Sequence, residues 1–121
     1  MKSYTDIKQS KVLSKILPLE SADMYWDYDV QKHEYYPMIM DDQFDNTCIR
    51  AWSLAALMKI LHRNEEDIVS LSYGGYKDGE YILNWCLDYE FEDGDYKKTF
   101  SDNPVDACYE MIIKLHKLNL L

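Results

Sequence analysis

The sequence is poor in the residues on which several whole classes of function depend. Its 121 residues include only four glycines, three prolines and three cysteines. Gly74-Gly75 and Gly79 lie in a hairpin context, not in the strand-to-helix turn that a phosphate-binding loop requires. The cysteines, Cys48, Cys86 and Cys108, are odd in number and far apart, unlike the even, closely spaced set of a disulfide-stapled secreted domain. Together with His33, His62 and His116 they form no Cys-x-x-Cys or His-x-x-x-His pair, the spacing by which structural zinc sites announce themselves. No metal and no other cofactor is therefore expected. Basic residues are scarce, 13 against 22 acids for a net charge of −9. Direct nucleic-acid binding, which needs clustered Lys and Arg, is excluded on that ground. No apolar run approaches the ~20 residues of a membrane-spanning helix. The polar stretch through Ser10 lacks the apolar core of a secretory signal. With reduced, dispersed thiols, this reads as a cytoplasmic protein.

What the chain does have is core-forming material. Hydrophobic residues make up 47% and aromatics 14%, too rich for disorder. At this length a chain buries roughly two thirds of its unfolded surface, so no staple is needed. There is no repeat, low-complexity tract or Gly/Ser linker, and residues 1–121 read as a single domain. Charge is uneven along it. Residues 1–19 hold four lysines against Asp6, whereas Glu20 to Thr47 hold eight acids against Lys32.

Periodicity predicts the elements. Val12, Leu13, Ile16 and Leu17 mark one face of a short helix that Pro18 ends. Trp26, Tyr28 and Val30 alternate with Asp27 and Asp29, predicting a strand with its acids outward. A second extended run, Tyr35 to Met40, contains Pro37 and so reads as the edge strand of a loose hairpin. A central helix starting at Thr47 would place Trp52 opposite the stripe Leu54, Leu57, Met58, Leu61. With Ser53 as N-cap, Trp52 and Leu57 instead occupy the N′ and N4 positions of a hydrophobic staple, and residues 47–52 are extended. That start is preferred. Val69, Leu71 and Tyr73 alternate with serines, and Asp78-Gly79 and Asp93-Gly94 mark two hairpin turns. Between the turns, Tyr81, Leu83, Trp85, Leu87, Tyr89 and Phe91 share one face. Asp102 or Asn103 caps a last helix with Pro104 at its first position and the stripe Val105, Cys108, Ile112, Leu115, Leu118. The expected fold is α+β: an antiparallel three-stranded meander plus a loose N-terminal hairpin, packed against two or three helices.

Three stretches together resemble a group of small uncharacterised proteins from gut Bacteroidales genomes, their phages and mobile elements. They are Ser10 to Leu13 with Leu17 to Tyr25, Ala51 to Leu57, and Asn103 to Met111 followed by the apolar tail Leu118 to Leu121. The resemblance spans nearly the whole chain in order. Ile16 stands where that group often has Gly, and Arg50 where it often has Pro. It implies a cytoplasmic protein in a phage or mobile-element setting and brings no activity or catalytic residue with it.

Candidate chemistry is sparse. The run Asp88 to Asp95 fits no EF-hand register, since Gly94 at position 6 puts Tyr89 at position 1, and it reads as a charged hairpin rim. Cys48 would be an activated nucleophile only at a helix N-terminus, which the staple removes. No catalytic constellation is visible, so the protein is not expected to be an enzyme. The most informative surface is the aromatic and acidic segment with Tyr25, Trp26, Asp27, Tyr28, Asp29, Tyr35 and Tyr36. Tyr and Trp offer large contact area at low entropy cost, and acids steer a basic partner. The expectation is a small acidic accessory protein that binds another protein, of inhibitor or immunity type. Self-association into a homo-oligomer stays open. Two alternatives remain: a minimal enzyme or small-ligand binder using Cys48 or a sheet–helix pocket, and an acidic DNA mimic.

Overall fold

A computed structural model describes residues 1–121. The fold is α+β, with two separate antiparallel three-stranded sheets and three helices. Helix α1 spans Ile7–Leu13 and starts earlier than its apolar stripe suggested. Asp6 accepts from the Gln9 amide at 2.7 Å, and the Gln9 side chain accepts from the Asp6 amide at 3.1 Å, a reciprocal cap. The regular helix also ends before Pro18. Ser14 Oγ bonds back to the Ser10 carbonyl at 2.8 Å, and the next residues tighten into a turn that still buries Leu17. Pro18 opens a short 3₁₀ turn, Leu19–Ser21.

Strands β1 (Met24–Asp29) and β2 (Glu34–Ile39) form the expected hairpin, with Pro37 on an outer edge. Of residues 47–52, expected to be extended, Thr47 and Cys48 lie in a turn closed by the Cys48 amide on the Asp45 carbonyl, and Ile49–Ala51 form a third strand, β3, paired to β1 on its other side. The order β2-β1-β3 makes a sheet of what the sequence showed only as a hairpin. Helix α2 (Leu54–Leu61) has Ser53 as its N-cap, accepting from the Ala56 amide at 3.2 Å. Trp52 and Leu57 are both fully buried in the same core, as the staple requires.

The meander consists of β4 (Ile68–Lys77), β5 (Glu80–Glu90) and β6 (Tyr96–Ser101). Asp78 and Gly79 have φ of +51° and +82°, the pair of left-handed residues that a tight two-residue hairpin turn needs. Helix α3 (Pro104–Lys117) is capped by Asn103 and lies across β5 and β6. Thr99 Oγ1 on β6 donates to the Ala107 carbonyl at 2.7 Å. Val105, Cys108, Met111, Ile112 and Leu115 are buried as expected, whereas Leu118 is the exposed C-cap beyond the last turn. Leu13, Leu17, Trp52, Leu57, Leu61, Leu87 and Tyr89 complete one shared core.

The aromatic face of β5 is not wholly covered. Leu87 and Tyr89 are buried, but Tyr81 and Leu83 are 57% and 69% exposed, because β6 pairs β5 only from Trp85 onward. Beyond that point β4 and β5 continue as a two-stranded arm, after a bulge in which Leu83 and Asn84 of β5 stand opposite Gly74 alone. The arm folds back. Tyr81, partner of Tyr76, and Asp88, partner of Lys98, are seven residues apart on β5, ~23 Å in a flat strand. Yet Lys98 Nζ comes within 3.4 Å of the Tyr76 carbonyl, and a methyl on Gly75 would lie 3.3 Å from the Phe100 ring. The bend buries Cys86 on the side of the sheet away from α3.

Candidate functional site

The first hairpin carries the segment that the sequence marked. β3 pairs β1 only through Met24–Trp26, so Asp27 to Tyr36 project as a two-stranded ribbon with both faces open. Strand alternation divides the seven candidate residues between those faces. Tyr25, Asp27, Asp29 and Tyr36 lie on one face; Trp26, Tyr28 and Tyr35 lie on the other. The expected single patch is therefore two surfaces back to back.

Tyr25 belongs to neither surface. It is fully buried, packed edge-on against Phe44 at 5.4 Å, with its hydroxyl donating to Asp41 Oδ1 at 2.6 Å. That carboxylate pushes the phenol's pKa up, and burial adds to it. The Arg50 guanidinium lies over the Phe44 ring, 4.5 Å from its centre. The loop from Asp41 to Asn46 thus covers the inner half of the acidic face. Nothing in the local alternation revealed this, because the residues that bury Tyr25 come from a polar loop.

Trp26 is held to the amino-terminal segment. Its ring stacks edge-on with Tyr4 at 5.6 Å, and its Nε1 donates to the Thr5 carbonyl at 3.1 Å. The expected inward set Trp26, Tyr28, Val30 is thereby overturned, since Tyr28 and Val30 are exposed. Tyr28 pairs across the strands with Tyr35, ring centres 5.0 Å apart, both open to solvent.

On the opposite face Asp27 is only half-exposed, contrary to the expectation of outward acids. Its Oδ2 accepts the Tyr36 hydroxyl at 3.0 Å, and its Oδ1 lies 3.7 Å from Cys48 Sγ. The Asp27 carboxylate raises the Tyr36 pKa, chiefly through that hydrogen bond. Asp29, Glu34 and Asp45 surround the pair with further negative charge.

Cys48 sits on β3's approach, not at a helix N-terminus. Burial pushes its thiol pKa up, and the charges of Asp27 and Asp45 push the same way against one favourable hydrogen bond. No cation offsets them, so the environment suppresses the thiolate.

The sequence reading missed the aromatic arm of β4 and β5. Tyr73, Tyr76, Tyr81 and Leu83 are exposed there, in edge-on pairs Tyr73–Trp85 and Tyr76–Tyr81. The signal was present in the lengths. An eleven-residue β5 outruns the six residues of β6, so its far half has no third strand beside it.

The largest cleft, about 720 Å³, lies between the Ile16–Asp23 segment and α2, not between a sheet and the helices. Leu17, Ala56 and Ile60 line it, with Glu20, Lys59 and Arg63 at its rim. Nowhere do three or more His, Cys, Asp or Glu side chains converge to hold a metal ion. No helix is long and apolar enough to cross a membrane.

Compared with known proteins, the chain matches no family model, no curated protein and no solved structure.

Proposed function

We propose that the protein is an accessory protein that binds another protein through the projecting tip of its first hairpin. The observation that supports this reading is the two-faced tip. Tyr28 and Tyr35 form an exposed aromatic pair on one face, while Asp27, Asp29 and Glu34 make the other face acidic. Exposed aromatics in pairs are suited to anchor a partner, and the carboxylates suit a basic one. The raised thiol of Cys48 weighs against the nucleophile alternative. The resemblance in three sequence stretches suggests a cytoplasmic protein in a phage or mobile-element setting, and an inhibitor or immunity role fits the small size and the net charge of −9.

The test is capture of a partner at low and high salt, followed by kinetics with two double variants. Asp29→Asn with Glu34→Gln should slow association and flatten its salt dependence, because screening shortens from ~10 Å at 0.1 M to ~3 Å at 1 M. Tyr28→Ala with Tyr35→Ala should speed dissociation instead. Asp27 is avoided because its substitution also frees Tyr36 and Cys48. Equal binding by all variants would overturn the assignment to this tip.

A further inference from the structure

The four outer edges of the two sheets are protected unequally. On β2, Pro37 and Glu34 obstruct pairing, β3 is only three residues long, and β6 carries Lys97 and Lys98. Such features are the usual defence against edge-to-edge association. The remaining edge is β4. From Ile68 to Tyr76 it contains no charged residue and no proline, in a chain where 29% of residues are charged. The β5 bulge opposite Gly74 disrupts its far end, which leaves six regular residues, Ile68 to Tyr73. No helix or strand other than β5 runs alongside them, and none of the loop and turn backbone hydrogen bonds involves them. Ile68, Ser70, Ser72 and Tyr73 are exposed.

The same segment is complementary to itself. Val69-Ser70-Leu71-Ser72-Tyr73 is nearly palindromic about Leu71. An antiparallel pairing of two copies across a two-fold axis at Leu71 sets Val69 opposite Tyr73 and Ser70 opposite Ser72, each twice. Val–Tyr is a favourable β-branched–aromatic pair on the face toward α3, and the serines can bond to each other on the other face. Two chains of net charge −9 repel each other, so an approach of this kind needs an uncharged strip. No charged residue lies within the paired stretch Val69 to Tyr73, so no like charges oppose in this register.

We propose that the β4 edge is a self-association surface, joining two copies of the chain into a continuous six-stranded antiparallel sheet. Five residues a side, Val69 to Tyr73, is small against the ~20–30 of a standard interface, so the dimer should depend on concentration. The test is sedimentation velocity of the full chain from micromolar to submillimolar concentration. The expected result is a shift from 14.4 kDa toward twice that mass. Ser70→Lys with Ser72→Lys places like charges opposite each other in this register and should remain monomeric, with an unchanged thermal melt. Ser70→Lys with Ser72→Glu places opposite charges across the axis and should restore the dimer. A monomer at every concentration overturns the proposal, as does a dimer that survives the double lysine variant. Loss of the dimer in both variants overturns the register. A different protein that binds this edge of a strictly monomeric chain would show that the occupant is not a second copy.

Discussion

Ser53 holds two elements together with one hydroxyl. It caps α2 by accepting from the Ala56 amide, and it donates to Asp23, whose other oxygen takes the Ser53 amide at 2.8 Å. Trp52 beside it is fully buried, and its Nε1 donates to Ser21 Oγ at 2.9 Å. Ser53→Ala is expected to cost ~0.5–2 kcal/mol, toward the upper end because Asp23 also loses a donor. Trp52→Ala is expected to cost ~3–5 kcal/mol through the cavity it leaves. Urea denaturation of the two variants measures both, and the midpoint should fall further for Trp52→Ala. This junction was legible in the sequence because cap and staple are local patterns, both set within the stretch Trp52 to Leu57. Tyr25 was not legible. Its burial depends on Phe44 and Asp41, which a loop brings in from outside the strand's own alternation.

At the level of elements, turn chemistry and strand period carried most of the order along the chain, from the Asp78-Gly79 turn to the Asn103-Pro104 start of α3. What they did not carry was which strands pair beyond their neighbours. The link between β1 and β3 spans a loop, and three residues offer too short a period to read. Nor does alternation show where a face stops being covered, so it could not separate the exposed Tyr81 and Leu83 from the buried Leu87 and Tyr89. In the arm Gly74 has φ +97°, and an added Cβ there would lie 2.3 Å from Tyr81 Oη. Gly79 has φ +82° and open space around it. Gly79→Ala should therefore show backbone strain alone, ~1–2 kcal/mol. Gly74→Ala should exceed it by whatever moving the Tyr81 ring adds. Parallel denaturation curves for the two variants separate the contributions, and the larger loss is expected at Gly74.

Across the whole molecule, the amino-terminal segment is fastened to the last helix. Asp106 on α3 accepts from Lys2 Nζ at 2.8 Å, Gln9 Nε2 at 2.7 Å and Asn103 Nδ2 at 2.8 Å. Burial alone would raise its pKa, but these donors outweigh it and hold the carboxyl below the ordinary range. A depressed folded-state pKa gives stability that is fully present above the unfolded value of ~3.9 and is lost as pH falls from there through the lower folded-state value. Asp106→Asn should thus lower stability near pH 7 by about 1 kcal/mol, allowing for solvent screening. The difference from the parent chain should shrink as the pH drops below ~4, which thermal melts across pH 3–7 would show. The same fastening bears on the order in which the chain can fold during synthesis. Each hairpin closes locally, but α1 and Trp52 share a core with α3, and Lys2 waits for a residue 104 positions later. Contacts of such long sequence separation form slowly and leave apolar surface open meanwhile. On the ribosome, α1 leaves the tunnel well before α3, to whose Asp106 its Gln9 bonds, so its apolar face lacks that core neighbour while the intervening strands are made.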